Sequence, residues 1–531
     1  MELIPIYIIA IPILTAIIVY ISKSKLVNYS VFISQTTLTY LVINYYGFLS
    51  VESVHILQIG GWHQNIGIAL RNDLLSFLFV SLSIFLWWVV LIYDWRQRKN
   101  DSVFLFFLLF LQGVFLGLIQ SNDIFSFFVF IEIATVISSI LIIFKKDGFS
   151  LKAGLYYLLF NSVGILLYLI GLIIVYKTTG TLNMIAIREA LEIIKGEGFI
   201  VVAYIFFMVS MGVKSAFFPV YTWLPRAHGA APNSISALLS GLLVKSGLYG
   251  FIRLSEMFNL HDFTVFFMTL GFVTTILGII FAISQNDIKQ MLGFSTITHV
   301  GIILIGISGF EETMYNGGII HILNHALVKF SLFMAAGIVI KEYKSSKISE
   351  IRGVFKRLPV TSFFFIIGML VIIGSPFTTI QMSKNMIEGG FRGNHIAVIM
   401  HNVINIGSIV IYIKMSKIFF GYGKRVKKKF LLENISLALV IVVIILTGVY
   451  FSWQSNSLDM KNLRTSNIGF AINLLKFSIN FIFAYAIHYF FVSKDSKIIK
   501  NIRRFDISFQ NANILLVIFI FLMMMYSIIL N

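Results

Sequence analysis

Apolar runs long enough to cross a bilayer recur from one end of the chain to the other. A transmembrane helix needs about 20 predominantly apolar residues, and sixteen stretches qualify. They lie at residues 3–22, 26–48, 73–95, 101–120, 122–144, 153–177, 200–222, 232–256, 263–284, 290–309, 315–340, 361–386, 395–420, 433–452, 468–492 and 511–530. The pattern predicts an all-α polytopic membrane protein. Residues 3–22 lack a small-residue cleavage pattern and are counted as the first helix.

The connections between these runs are short. The four longest, near 49–72, 178–198, 341–360 and 453–467, each hold fewer than 30 residues, which leaves no room for a soluble domain. Short alternating segments and a glycine pair in 49–72 predict a β-hairpin on the outer face. Residues 178–198 have the pattern of a short amphipathic surface helix.

Composition agrees with a membrane location and limits the chemistry. Hydrophobic residues make up 58% of the 531 residues, above the roughly 45–50% of soluble domains. The chain has no cysteine, which excludes disulfides and cysteine-ligated iron–sulfur clusters. It also has no glycine-rich nucleotide loop. We therefore expect no cofactor in this chain, so any redox or nucleotide chemistry would belong to another subunit.

The net charge of +18 is explained by topology. Loops after odd-numbered spans, counted with the span ends that adjoin them, carry 28 of the 41 Lys and Arg; the other side carries 8, and 5 lie deep within spans. Basic residues accumulate on the cytoplasmic side of a membrane. This distribution predicts a multi-pass protein of the cytoplasmic membrane with both termini on the outer face. It argues against nucleic acid as a partner.

Two prolines interrupt predicted spans near lysines. Pro219 follows Lys214 by five residues in the seventh span, and Pro376 precedes Lys384 by eight in the twelfth. The two spans are five apart and therefore run in opposite directions, which is typical of an inverted repeat with broken helices at an ion site. We expect four regions: N-terminal helices at 1–100, a first repeat at 101–256 (spans 4–8), a second at 263–420 (spans 9–13), and C-terminal helices at 433–531.

Charged residues inside the spans are the main indication of function. A charge at bilayer depth costs about 2.5–3.5 kcal/mol on insertion scales and is by default functional. Within spans lie Glu132, Lys214, Lys245, Lys329, Lys384 and Lys476. Lys476 can extend toward the interface and is interpreted as structural. The others predict a path for protons.

Histidines extend this path. His321, His325 and Lys329 are spaced at i, i+4 and i+8 and share one helix face over about 12 Å, an arrangement suited to a proton relay. The alternatives are a metal site, which lacks a nearby Cys, Asp or Glu, and core histidines. For His299 the relay and core interpretations are balanced. His321 lies near a predicted helix end, and the alternative to a relay role for it is a side chain exposed to solvent.

Glu132 is the one carboxylate at mid-span. We hypothesise that it lies close to Lys214 and holds that lysine protonated, and that weakening the pair lets the proton move toward Lys245. The alternative is a pair that only fixes helix packing.

Two further groups are possible accessories. Glu388, one turn beyond Lys384, either partners that lysine or serves as an exit group. His228, beside Arg226 in a turn, either guards a proton entrance or caps a helix.

Several spaced motifs resemble one family. They are Lys214-Ser-Ala-Phe-Phe-Pro219, Trp223-Leu-Pro-Arg-Ala-His228, the run 236–250, and His321-Ile-Leu-Asn-His325-Ala-Leu-Val-Lys329. The chain resembles, over roughly residues 50–420, the antiporter-like subunits of respiratory complex I, Mrp-type Na+/H+ antiporters and energy-converting membrane-bound hydrogenases.

The resemblance implies about fourteen core helices, with the last two predicted spans as an extension. It implies family roles, position by position, for Glu132, Lys214, Lys245, His325, Lys329 and Lys384. The chain departs from the family where Arg226 replaces a common aspartate and where the twelfth span lacks the usual double proline.

Three settings remain open for a proton-translocating subunit. They are a hydrogenase- or complex I-like pump, which the Trp-Leu-Pro-Arg-Ala-His string favours, an Mrp-type Na+/H+ antiporter in which this chain is the D-like component, and an inorganic-carbon uptake complex. Expected partners are other membrane subunits, the bilayer, and peripheral redox subunits in the first setting. A membrane acyltransferase using His321, Asn324 and His325 would leave the buried lysines unexplained.

Overall fold

The computed structural model describes residues 2–22, 26–63, 65–98, 101–194, 198–391, 393–424, 430–454, 467–494, 496–505 and 507–530. Most of the connection expected at 453–467 lies outside these ranges. Within them the chain is almost entirely helical, and fifteen helices are long and apolar enough to cross a membrane. The prediction of an all-α polytopic membrane protein is confirmed.

The helices follow the predicted spans closely. The first half contains α1 (Ile4–Ile21), α2 (Leu26–Leu49), α3 (Leu74–Arg98), α4 (Ser102–Gln120), α5 (Ile124–Ile143), α6 (Gly148–Thr179), α7 (Met184–Ile193), α8 (Gly198–Ser215), α9 (Trp223–Ala230), α10 (Asn233–Leu238) and α11 (Val244–Phe258). The second half contains α12 (Thr264–Ser284), α13 (Ile288–Ile307), α14 (Glu312–Tyr343), α15 (Val354–Arg357), α16 (Pro359–Ile372), α17 (Thr379–Gly389), α18 (His395–Ser416), α19 (Leu431–Gln454), α20 (Asn467–Ile487), α21 (Lys497–Arg504) and α22 (Phe509–Leu530).

Three of the predicted spans that carry buried lysines contain irregular backbone. The seventh ends as α8 at Ser215, and the chain resumes as α9 only at Trp223. The eighth contains a π-helical segment, Leu239–Leu243, between α10 and α11. The twelfth is divided into α16 and α17. Such breaks are tolerated at membrane depth only where protein or a wet cavity surrounds them. The inverted-repeat relation between the two halves stays a prediction.

The helix pair α12–α13 lies at the start of the second half and is closely packed. A Cβ atom added at Gly301 would lie 2.6 Å from the carbonyl oxygen of Gly271 and 2.2 Å from the Thr275 hydroxyl. Small residues allow helix backbones to approach in this way within a membrane. The pair positions the inward face of α13 against α14.

An antiparallel hairpin, β1 (Val54–Ile59) and β2 (Ile68–Asp73), occupies the connection after α2. Ion pairs join the end of β2 to α11. Arg253 Nη2 lies 2.6 Å from Asp73 Oδ1, and Arg71 Nη2 lies 2.9 Å from Glu256 Oε1. Burial would raise the pKa of Asp73, but the hydrogen bond and charge of Arg253, with Arg71, lower it to about 2. This cluster connects the hairpin to the helix that carries Lys245.

Replacing Asp73→Asn is expected to destabilise the fold, because the nearest carboxylate is removed from Arg253, which is only 5% exposed. Breaking a buried pair costs about 3–5 kcal/mol, and the remaining contact with Glu256 places the effect near the lower end. Because the pKa of Asp73 is lowered in the folded state, its contribution to the free energy of unfolding is fully present above about pH 4, the ordinary pKa of the carboxyl group. This contribution is lost as the pH falls toward 2. Thermal unfolding of the purified complex measures it.

The control is Glu350→Gln, which removes an exposed partner of Lys347 and should change stability by about 0–1 kcal/mol. Equal unfolding temperatures for the two variants at pH 7 would contradict a structural role for the Asp73 cluster.

Candidate functional site

Four lysines lie in the protein interior at membrane depth. Lys214, Lys245, Lys329 and Lys384 are each at most 3% exposed. Lys476 differs, since 59% of its side chain is exposed. An interior ammonium must be satisfied by oxygen atoms or give up its proton, so the partners of each lysine indicate how the site works.

Lys214 lies at the end of α8, where the helix breaks. Its Nζ donates to Thr135 Oγ1 at 2.7 Å and to Tyr157 Oη at 3.3 Å. Both partners come from neighbouring helices, α5 and α6. The fully buried rings and hydroxyls around the amine hold it in one position.

Glu132 lies one turn from Thr135 on α5 and is half-buried. Its Oε1 accepts a hydrogen bond from Ser162 at 3.1 Å, and its Oε2 is buried without a hydrogen-bond partner. Among the described residues, no contact of 4.0 Å or less joins it to Lys214. The hypothesis placed the two charges in a close pair, whereas here the Thr135 hydroxyl is the nearer partner of the amine.

Lys245 depends on the π-helical segment. Its Nζ donates to the carbonyl oxygen of Ser240, within Leu239–Leu243. The Ser240 hydroxyl shares a hydrogen bond with Thr296 Oγ1 of α13 at 2.9 Å. The π segment therefore brings a carbonyl to the lysine and joins the first half of the chain to the second.

Lys329 lies on α14 among oxygen atoms from two other helices. Its Nζ donates to Leu292 O at 3.0 Å, Ser295 Oγ at 2.8 Å and Tyr412 Oη at 3.2 Å. The two hydroxyls also share a hydrogen bond of 2.9 Å with each other. We call Lys329, Ser295 and Tyr412 the Lys329 cluster.

Three histidines continue from this cluster. His299 Nδ1 lies 3.1 Å from His321 Nε2, and His321 Nδ1 lies 2.9 Å from the Ser383 hydroxyl. The His325 ring stacks on His299 with centroids 4.8 Å apart, and both of its nitrogens are buried without a hydrogen-bond partner. His321 is fully buried, so the alternative of exposure to solvent is wrong. These groups form the histidine line, which ends beside Lys384.

Lys384 lies in the middle of α17, and its side chain reaches back to the break after α16. Its Nζ is 3.5 Å from the carbonyl oxygen of Ile373, immediately beyond the end of α16. Glu388, predicted as either a partner of Lys384 or an exit group, lies 3.7 Å from Lys476. Glu388 and Lys476 line a cavity of about 380 Å³. The position of Glu388 therefore favours a role at a proton outlet over a role as the counter-ion of Lys384.

His228 is buried, and neither of its ring nitrogens has a hydrogen-bond partner among the described residues. Its ring stacks on Phe333 at 4.4 Å, so the described contacts do not include a helix cap. Arg226 lies at the protein surface, with its guanidinium 4.2 Å from the Tyr156 ring centroid.

Two buried lysines were not predicted as site residues. Lys289 Nζ donates to Ala231 O at 2.6 Å, and Lys414 Nζ donates to Ile283 O and Gln285 O, each at 2.6 Å. These carbonyls lie at the ends of helices, where oxygen atoms lack helical partners. The only sequence signal was a lysine close to a span end, which equally suits extension toward the interface.

Glu132, the four lysines at membrane depth and the three histidines of the histidine line lie along one succession of helices, from α5 and α8 through α11 and α13 to α14 and α17. Buried unpaired polar atoms along it, at Glu132, His325 and Asn324, are sites that water normally satisfies. Among the described residues, no group of three His, Cys, Asp or Glu has metal-binding geometry. The arrangement is suited to moving a small cation between amines, imidazoles and water.

Comparisons with known proteins agree with this arrangement. The family described as "NADH:quinone oxidoreductase/Mrp antiporter, TM" matches residues 121–408, more than half of the chain. The match extends from α5 into α18. It includes every lysine and histidine of the succession above.

Two curated relatives are similar over most of their length. The D-type component of a Na(+)/H(+) antiporter of Bacillus subtilis is 29% identical over 422 residues, which cover 77% of this chain and 85% of the relative. The N-type component of an NADH-quinone oxidoreductase of Desulforudis audaxviator is 30% identical over 337 residues, covering 61% and 67%.

Two solved structures have the same fold. A chain of an archaeal membrane-bound sulfane sulfur reductase complex matches with a TM-score of 0.78 at 24% identity, covering 92% of this chain and 99% of its own. A chain of the Mrp complex from Dietzia sp. DQ12-45-1b matches with a TM-score of 0.78 at 19% identity, covering 94% and 99%.

Proposed function

Because the chain belongs to the NADH:quinone oxidoreductase/Mrp antiporter transmembrane family, we propose that it moves protons through its own interior as one membrane subunit of a larger energy-converting complex. The observation that carries the proposal is the line of buried amines and imidazoles. It reaches from Lys214 to Lys384 within the region that the family model matches.

The proposed path has a charge-sensing first step. Lys214 binds a proton while Glu132, one turn from Thr135 on α5, is ionised, because a nearby negative charge favours the charged amine. Loss of that attraction favours the neutral amine, since burial disfavours the charged form of a lysine. The proton then passes through water toward Lys245.

From Lys245 the path enters the second half. Ser240 and Thr296 join the Lys245 site to α13, and Ser295 of the Lys329 cluster lies on the same helix. His325, His299 and His321 then lead to Ser383 and Lys384. Histidine exchanges protons near neutral pH more readily than any other side chain, which suits this final segment. His228, packed beside α13, is an accessory group at most.

Exchange of Na+ for protons is the second candidate function. The Bacillus subtilis relative favours this function, because it is named as part of a Na(+)/H(+) antiporter. The matched region covers 85% of that relative. The pump setting is supported by the NADH-quinone oxidoreductase relative. Either function requires other membrane subunits, and the pump also requires peripheral redox subunits. The identity of the co-purifying chains separates the two.

We also propose that both termini lie outside the cytoplasm and that residues 101–256 and 263–420 are inverted repeats. The charge distribution between alternate loops supports the orientation. The helix breaks at α8–α9 and α16–α17, each beside a buried lysine, support the repeats.

Single cysteines test the orientation, since the chain has none of its own. His63→Cys, in the exposed hairpin loop, should react with an impermeant maleimide in intact cells. Lys347→Cys, in an exposed loop on the opposite side, should react only after permeabilisation. Labelling of this chain on a gel measures both, and the reverse pattern would overturn the proposed orientation.

Lys214→Ala and Lys329→Ala should each lower proton transport by the reconstituted complex at least about tenfold, the effect of a barrier raised by 1.4 kcal/mol. Each removes the proton-binding group at its point of the path. A pH-sensitive dye in proteoliposomes measures the rate. Lys177→Gln, at an exposed position near the end of α6, is the control and should leave it unchanged. Full transport by both alanine variants would refute the function.

Glu132→Gln and Thr135→Val should both slow transport, by about tenfold and about threefold, because one removes the charge and the other the hydroxyl that bonds the amine. Thr269→Val is the matched control, since this exposed hydroxyl bonds Val265 O of its own helix. If Glu132→Gln transports normally and only unfolds at a lower temperature, the residue fixes helix packing and the switch is wrong.

A further inference from the structure

One face of α18 carries a row of polar side chains, of which the path above uses only Tyr412. His401, Asn405, Ser408 and Tyr412 are spaced at i, i+4, i+7 and i+11. At 100° per residue they fall within an arc of about 60° and extend over about 16 Å of helix. We call these four residues the α18 polar face.

The other three residues of the α18 polar face have buried polar atoms that lack hydrogen-bond partners among the described residues. Both ring nitrogens of His401, the side-chain oxygen of Asn405 and the Ser408 hydroxyl are buried without a hydrogen-bond partner. His401 and Ser408 are each 1% exposed. Buried polar atoms are almost always hydrogen-bonded to protein or water. Three such groups in succession on one helix face therefore indicate a line of water.

Both ends of the row reach places where an ion is held or released. At one end, Tyr412 Oη is bonded to the Lys329 amine at 3.2 Å. At the other end, the His401 ring packs on Phe391, with centroids 5.9 Å apart. Phe391 lines the cavity that also contains Glu388 and Lys476. The row thus lies between the Lys329 cluster and the cavity.

We propose that the α18 polar face is a second outlet for protons, parallel to the histidine line. This proposal rests on the proposed function. A proton leaves the Lys329 ammonium, which becomes a neutral amine, and passes along water bound to Ser408, Asn405 and His401. It is released into the cavity beside the Glu388 carboxylate, which attracts a cation. Lys329 is then the point at which two outlets separate.

Closing the histidine line makes the second outlet measurable. In a Ser383→Val background, which removes the hydroxyl bonded to His321, the assembled complex should retain part of its proton transport. Adding Asn405→Leu should lower the remaining rate about tenfold, which corresponds to 1.4 kcal/mol of added barrier. The matched control is Asn402→Leu, the same substitution on another face of α18, where the side chain bonds Val398 O of its own helix.

Thiol labelling tests the water line without depending on transport. In the otherwise unaltered, cysteine-free chain, His401→Cys and Ser408→Cys should react with an impermeant methanethiosulfonate reagent added from the outer side, because only a hydrated thiol ionises readily. Asn402→Cys should react at least about tenfold more slowly.

The outcomes separate the outlet from the function. Loss of all transport in Ser383→Val, or equal rates for Asn405→Leu and Asn402→Leu in that background, would overturn the second outlet, as would unreactive thiols at 401 and 408. If Lys329→Ala abolishes transport in the same experiment, the proposed function stands although the outlet fails. Unchanged transport by Lys329→Ala would remove the basis of both.

Discussion

The structure depends on one constraint: an amine inside a membrane protein needs oxygen atoms that regular helices do not supply. Most helix carbonyls are used only within their own helix, and the one that Lys329 shares, Leu292 O, is supplemented by two hydroxyls. A buried lysine therefore needs a hydroxyl or an interrupted helix. Lys245 is bonded to a carbonyl of the π segment, and Lys384 approaches one just past the end of α16. The irregular backbone is therefore what allows these lysines to be buried.

The same constraint makes the two halves chemically different. In the first half a carboxylate, Glu132, lies one turn along α5 from Thr135, whose hydroxyl accepts a hydrogen bond from Lys214. In the second half Lys329 is surrounded by hydroxyls and a carbonyl, and imidazoles take the place of a nearby acid. A carboxylate favours the charged amine, whereas neutral oxygens and imidazoles hold it less firmly. We therefore expect a proton to be retained in the first half and released more easily from the second.

The sequence was sufficient to predict what depends on hydropathy and helix period. The membrane-spanning runs, the hairpin at 49–72 and the breaks beside Lys214 and Lys384 follow from local composition and proline positions. Which helices become neighbours does not follow from it. Spacing along the chain leaves Glu388 as either a partner of Lys384 or an exit group, whereas in the structure α20 brings Lys476 to that carboxylate. The distance between Glu132 and Lys214 is likewise set by the packing of α5 and α8 against α6, which periodicity cannot give.

The packing of three helices determines which groups the Lys329 amine contacts. Its amine contacts α13 and α18 through Ser295 and Tyr412, and the histidine line begins on its own helix, one turn away. An ion that reaches this lysine thus meets two sets of acceptors on different helices. A shift of α18 relative to α13 would lengthen the Tyr412 contact without disturbing His325. Helix movements of about 1–2 Å are larger than the change in donor–acceptor distance that a hydrogen bond tolerates. The packing of α18 therefore decides which acceptor a proton leaving Lys329 meets first.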